Sequence, residues 1–141
     1  NCYEKLGMYQ KSLSVLLFLR RCFESSGANV SLYADLYTRV EVSIASVLGS
    51  LGQYDESNAI VDKCVKLAIQ NRHTEVLARC LLGKALNMLY QLPSESSPFE
   101  EQKVITMFRQ AYATAIISGD VVRLRSIPKY YRRKFNMEIH V

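Results

Sequence analysis

The chain has 141 residues, 49% hydrophobic and 22% charged, a composition typical of a globular protein and not of a disordered one. Its net charge is +5. The longest unbroken apolar run, residues 15–19, is far short of the roughly 20 residues of a membrane-spanning helix, and the polar residues 1–5 do not resemble a signal peptide. We therefore expect a single cytoplasmic domain over residues 1–141, with no membrane contact.

A repeated phrase predicts how the chain is built. Residues 6–12 (LGMYQKS) and 51–57 (LGQYDES) share Leu, Gly, Tyr and Ser at matching positions, and the aromatic residues Tyr9, Tyr54 and Phe99 are 45 residues apart. A fixed period of this size is typical of stacked helix pairs, each of which buries its apolar face against its neighbours. We interpret the phrase as a tight turn between antiparallel helices.

The first half of the chain predicts four helical segments. Residues 1–6 read as the end of a helix that begins upstream, so we expect a C-terminal fragment of a longer protein. Apolar residues at helical spacing then predict a helix over 9–26, closed by Gly27. A long helix over 29–51, capped by Asn29 or Ser31, and a helix over 55–70 follow.

The second half predicts three more helices. After a polar turn at 71–74 and a helix over 74–92, residues 97–100 (SPFE) form a capping box with proline at the first helical position. Gly119 closes that helix and Asp120 caps the last one, which Pro128 is expected to kink or break. Three aromatic residues are expected to dock this last helix onto the preceding hairpin: Tyr130, Tyr131 and Phe135.

These elements predict an all-α fold of about six helices. A plain helical bundle is the alternative to an α-α superhelix, and the 45-residue regularity favours the superhelix.

Metal and catalytic chemistry have no support in the sequence. The four widely spaced cysteines are expected to be small buried hydrophobic residues in a reducing compartment: Cys2, Cys22, Cys64 and Cys80. Zinc would need clustered ligands, and the histidines are His73 and His140. No nucleophile–base pair is indicated by spacing, so we expect no enzyme, no cofactor and no metal.

The C-terminal stretch is basic. From Asp120 onward there are six Lys or Arg residues against Asp120 and Glu138. Such a tail is able to contact nucleic acid or an acidic partner. We favour the simpler interpretation of a solvated last helix whose cations complement its C-terminal dipole.

The repeated phrase resembles the tetratricopeptide repeat, whose turn reads Gly-x-Tyr-x-x-Ala. Here Ser12 and Ser57 replace the alanine, and the period is 45 rather than 34 residues. Long-helix repeats of this kind resemble the C-terminal sensor domains of the Rgg, PlcR and Rap group of Gram-positive bacteria, and residues 108–131 look like their terminal hairpin. The resemblance implies a DNA-binding domain upstream, a concave groove for a short peptide, and homodimerisation.

Two polar stripes are the candidate binding residues. In such superhelices the first helix of each pair lines the groove, and six residues at helical spacing there are predicted to bind a peptide or protein segment: Arg39, Ser43, Ser46, Arg79, Asn87 and Tyr90. Asparagine donates and accepts towards a peptide backbone, and arginine binds a carboxylate. The alternative is that both stripes are ordinary solvated helix surface.

We therefore expect a peptide- or protein-binding sensor domain of a bacterial transcription regulator. Its contact with nucleic acid would be made only by the upstream domain. The alternative is a structural scaffold that assembles with another protein or with itself through Tyr130, Tyr131, Arg132 and Arg133.

Overall fold

The computed structural model describes residues 2–25 and 30–135, with side chains described at 5–25 and 34–135. Within those ranges it contains six helices and no strand, so the all-α prediction is confirmed. The helices are α1 (Cys2–Ser25), α2 (Val30–Ser50), α3 (Tyr54–Gln70), α4 (Thr74–Gln91), α5 (Pro98–Ser118) and α6 (Val121–Phe135). The predicted closing and capping roles of Gly27, Asn29 and the Ser31 side chain lie outside the described residues.

The contacts divide the chain into two compact units, residues 1–64 and 65–141. The first contains α1, α2 and most of α3, and the second contains the end of α3 with α4, α5 and α6. Residues 1–64 carry six Lys or Arg and seven Asp or Glu, whereas residues 65–141 carry twelve and six. The net positive charge of the chain therefore belongs to the second unit.

Three of the turns between helices have the same backbone geometry. After α2, the Gln53 N–H donates to the Leu48 carbonyl at 2.9 Å, the Gly52 N–H donates to the Gly49 carbonyl, and Gly52 has a φ of 80°. This pair of bonds around a left-handed residue is the Schellman motif. The turns after α3 and α5 repeat both bonds, with Arg72 (φ 57°) and Gly119 (φ 68°) in the left-handed position.

The first copy of the repeated phrase does not form a turn, contrary to our prediction. Helix α1 runs without interruption through Gly7, and Tyr9 lies inside it. Glycine permits a turn but does not impose one, since in a helix interior it costs only about 0.5–1 kcal/mol relative to alanine. The second copy is fixed by packing, because the buried Ser57 hydroxyl donates to the Ala45 carbonyl of α2 at 2.7 Å. The corresponding Ser12 is exposed.

Helices α4, α5 and α6 enclose the core of the second unit. Small residues let α4 and α5 approach closely: Ala78, Ala85, Ala111 and Ala115. Phe108 and Tyr131 are fully buried and meet edge to face, with ring centroids 6.2 Å apart. Phe135 packs on Tyr131 at 5.2 Å, so the predicted docking of α6 through its aromatic residues is confirmed.

The two predicted caps of the second unit are present. At the start of α5, the Ser97 hydroxyl accepts from the Glu100 N–H while the Glu100 carboxylate accepts from the Ser97 N–H. At the start of α6, the Asp120 carboxylate accepts from the Arg123 N–H at 3.1 Å. Pro128 does not break α6, which continues to Phe135.

Candidate functional site

Helix α1 carries apolar side chains on two faces. The face towards α2 contains half-buried Leu13, Leu16, Leu17 and Phe23. A second set is exposed: Met8, Val15, Phe18 and Leu19. It shares one side of the helix, since Val15 lies seven residues after Met8, and Phe18 and Leu19 lie three and four residues after Val15. We call these four residues the α1 outer face. It extends over about 16 Å of helix at 1.5 Å per residue.

A cluster of aromatic and charged side chains holds α1 in place within the first unit. The Tyr37 hydroxyl of α2 donates to the Glu24 carboxylate of α1 at 3.0 Å, and the Tyr37 ring meets Phe23 edge to face at 6.3 Å. The Lys63 ammonium of α3 lies 5.6 Å from the centre of the same ring. We call these residues, with Glu41 and Arg20, the Tyr37 cluster.

Glu41 is the buried charge of the Tyr37 cluster. Its side chain is 5% exposed, and its carboxylate lies 3.8 Å from the Arg20 guanidinium and 3.6 Å from the Lys63 ammonium. Two cations from different helices therefore compensate one buried anion. Because each oxygen of the Glu41 carboxylate has a cation beside it, one from α1 and one from α3, the cluster links α1 to α2 and α3.

The pKa of the Tyr37 phenol is raised above its ordinary value near 10. Burial is the largest cause, followed by hydrogen bonds to Glu41 and Glu24 and the negative charges of both carboxylates. All of these favour the neutral phenol, which donates a hydrogen bond to a carboxylate without adding another negative charge.

The predicted stripe of α2 is mostly solvent-facing. Arg39 and Ser46 are exposed and Ser43 is half-buried. The Ser43 hydroxyl donates to the Arg39 carbonyl at 2.9 Å, a bond within the same helix that leaves its oxygen able to accept. The three side chains share the first unit, and their role in binding stays a prediction.

The predicted stripe of α4 belongs to the second unit and is less uniform. Tyr90 is exposed and Arg79 is half-buried. Asn87 is buried among the residues of its own unit. The prediction that these side chains contact a peptide stays open, with Tyr90 the member most accessible to a ligand.

One of the four residues proposed for a scaffold surface is buried. Tyr131 was expected to be an exposed contact residue in that alternative, but it is buried against Phe108, and Tyr130 is half-buried. Tyr131 is therefore wrong as a contact residue of that alternative, whereas the contribution of Tyr130 stays a prediction. Arg133 remains exposed.

Among the cysteines whose side chains are described, Cys64 and Cys80 are buried as predicted, whereas Cys22 is exposed, so the expectation of burial is wrong there. The described residues contain no group of three side chains suited to hold a metal ion. Across the same described ranges, no helix combines the length and apolar character needed to span a membrane.

Sequence reasoning missed the α1 outer face, although its signal is present. Residues 15–19 are five consecutive apolar residues. Successive residues of a helix point about 100° apart, so a single neighbouring helix is unable to cover all five. The run therefore indicates a helix with two apolar faces.

Comparisons with protein-family models, curated proteins and solved structures gave no match for this chain. The resemblance to tetratricopeptide repeats and to the Rgg, PlcR and Rap group stays a prediction.

Proposed function

We propose that this chain is a protein-interaction domain that binds a helical segment of a partner protein on the α1 outer face. The supporting observation is the set of four large exposed apolar side chains on the side of α1 that does not contain its contacts with α2. Apolar residues at these intervals suit a second amphipathic helix, whose own i, i+3, i+4 and i+7 residues pack between them.

The expected affinity of this surface alone is weak. Covering four side chains that are each about half exposed contributes on the order of 4–6 kcal/mol. The loss of translational and rotational freedom on association costs roughly 4–15 kcal/mol, which is at least as much as this gain. The partner must therefore add contacts elsewhere or be tethered nearby, which is typical of regulatory interactions.

A more specific proposal concerns the fold and the biological role. The helical hairpins would stack as a tetratricopeptide-like superhelix, and the domain would be the sensor half of a bacterial transcription regulator. The Leu51–Ser57 phrase supports the repeat interpretation, because Gly52 makes the turn and Ser57 makes the close helix crossing. A bound peptide would then contact residues of a predicted polar stripe, and on α4 the exposed member of that stripe is Tyr90.

Photo-cross-linking from matched positions tests the proposal. A benzoylphenylalanine is placed separately at three sites of nearly equal exposure: Phe18 at 59%, Tyr90 at 58% and Ile69 at 61%. The full protein is irradiated in the cells that make it, and the products are identified by mass spectrometry. We expect a discrete product with another protein from position 18 and none from position 69.

Each other outcome has a defined meaning. A cross-linked product from position 90 and none from position 18 would indicate that the partner binds the predicted polar stripe and not the α1 outer face. A product between two copies of this chain from position 18 would favour the scaffold alternative. Equal labelling from positions 18 and 69 would contradict a specific surface.

A further inference from the structure

The turn between α5 and α6 presents four exposed aliphatic side chains. Ile116 and Ile117 end α5, and Val121 and Val122 begin α6. Ile117 is 76% exposed, the largest value among the exposed large hydrophobic residues described. We call these four residues the α5–α6 tip. They lie within seven consecutive residues, on either side of the Gly119 turn.

Cations continue from the tip along the exposed side of α6. Val121, Arg125, Lys129 and Arg133 are all exposed and follow one another at intervals of four. This spacing places them in one row along the helix, about 18 Å long. We call its three charged members, Arg125, Lys129 and Arg133, the cation row. The opposite side of α6 packs into the core through Ile127 and Tyr131, so the row is the outward side.

Negative charge is scarce around this row. Helix α6 contains no Asp or Glu, and neither do residues 109–118 of α5. Asp120 lies between them, but its side chain is 5% exposed and it caps α6 through the Arg123 N–H. Within α6 and residues 109–118, the row therefore has no acidic side chain beside it that would cancel its positive charge.

We propose that the α5–α6 tip and the cation row form a binding surface for an anionic lipid bilayer. The row matches lipid phosphates, and the aliphatic tip enters the boundary between head groups and acyl chains. A nucleic acid would match the cations but would leave the four aliphatic side chains beside a polyanion, with no apolar surface to cover them. No helix among the described residues has the length and apolar character to span a membrane, so the proposed contact is peripheral. It departs from the sequence-based expectation of no membrane contact.

This inference does not rest on the proposed function, because it uses none of the residues of the α1 outer face. The full chain is sedimented with vesicles of phosphatidylcholine alone and of phosphatidylcholine mixed equally with phosphatidylglycerol. We expect binding to the mixed vesicles at low salt, and weakening as salt screens the cations.

Two sets of variants locate the binding surface. Combining Arg125→Gln, Lys129→Gln and Arg133→Gln is expected to lower the partition coefficient about 100-fold, since each cation near an anionic surface contributes about fivefold. The control combines Lys5→Gln, Lys11→Gln and Arg21→Gln, three exposed cations of α1, and has the same net charge. The control should stay within about threefold of the wild type, because its cations lie outside the row.

The aliphatic tip has its own comparison. Ile117→Ser with Val121→Ser is expected to lower partitioning about tenfold, whereas Leu36→Ser with Ile69→Ser, at exposed aliphatic sites elsewhere, should not. Circular dichroism and thermal melting establish that each variant is folded. The proposal is overturned by absent binding to mixed vesicles, by equal losses in both cation variants, or by duplex DNA binding that depends on the cations but not on the tip.

Discussion

The phenol of Tyr37 lies where charges and aromatic rings of three helices converge. Its neighbours include Glu24 and Phe23 of α1 and Lys63 of α3. A neutral phenol can donate to a carboxylate there, whereas a phenolate would be a third anion beside Glu24 and Glu41. The raised pKa therefore expresses a preference of the folded state for the protonated side chain.

Replacing Tyr37 by phenylalanine should change how stability depends on alkaline pH. A folded-state pKa above the unfolded value gives stability that is present below about pH 10 and is lost as the pH rises further. Near pH 8 we expect Tyr37→Phe to cost about 1 kcal/mol for the lost hydrogen bond. Above pH 10 the difference in unfolding free energy between the wild type and Tyr37→Phe should become smaller, because only the wild type has this phenol and loses its contribution as the pH rises.

Urea denaturation followed by circular dichroism, from pH 8 to pH 11, measures both curves. The Lys63–Glu41 ion pair is present in both proteins, so it does not produce the difference between them. Curves that stay parallel over the whole range would show that the phenol proton is not favoured by folding.

Single residues with strong local chemistry were predictable, and residues defined by distant neighbours were not. Ser97, Gly119 and Asp120 act through hydrogen bonds and backbone angles within a few residues, so their roles follow from the sequence. The αL position of Arg72 was not predicted, because arginine has no intrinsic preference for positive φ. The environment of Tyr37 depends on three helices.

Helix α1 and the α2–α3 turn show that one sequence phrase has two structures. Gly7 lies within a continuous helix and Gly52 makes a Schellman turn, although both follow leucine and precede the same x-Tyr-x-x-Ser pattern. Short-range sequence therefore allows both outcomes. The contact from Ser57 to α2 accompanies the turn, and Ser12 has no equivalent burial.

Alanine at the two glycines should have opposite effects on stability. Gly7→Ala is expected to stabilise by about 0.5–1 kcal/mol, because alanine favours a helix interior and a Cβ at this position meets no atom within 4 Å. Gly52→Ala is expected to destabilise by about 1 kcal/mol, because its φ of 80° is unfavourable for a side chain.

Thermal and urea unfolding of the two variants measure this difference directly. Each variant is the control for the other, since both replace glycine by alanine within the same sequence phrase. A loss of stability in Gly7→Ala similar to that in Gly52→Ala would indicate that residues 6–9 form the turn originally predicted from the repeat.

At the scale of the whole molecule, the sequence predicted the class of fold and most helix boundaries, but not the distribution of surfaces. Helical periodicity and turn residues are local, and they located α2 to α6 within a few residues. The burial of Asn87 and the exposure of Phe18 depend on which helix faces are covered. Periodicity identifies an apolar helix face but does not show which element covers it. The candidate site residues were therefore harder to predict than the helices.

Phe108 should contribute strongly to the stability of the second unit. Phe108 is completely buried between α4 and α6, whereas Phe99 is 70% exposed at the start of α5. We expect Phe108→Ala to cost about 3–5 kcal/mol through lost burial and a cavity. That is a large part of the roughly 5–15 kcal/mol of a typical domain.

The same substitution at Phe99 is the matched control. Its ring contacts the Lys103 ammonium at 4.7 Å on the surface, so Phe99→Ala should cost no more than about 1 kcal/mol. Urea unfolding measures both free energies. Similar losses at the two positions would contradict the description of Phe108 as the centre of a packed core.

Two of the three Schellman turns show how the chirality of an amino acid limits which residue suits a given backbone conformation. Gly52 and Gly119 have positive φ, and a Cβ built at either meets no atom within 4 Å. The barrier to a side chain there is therefore one of chirality and not of space. A D-amino acid, for which positive φ is the ordinary conformation, meets the backbone requirement of both positions and lowers the entropy of the unfolded chain. At these two sites the protein uses glycine in the place of a mirror-image residue that the genetic code does not supply.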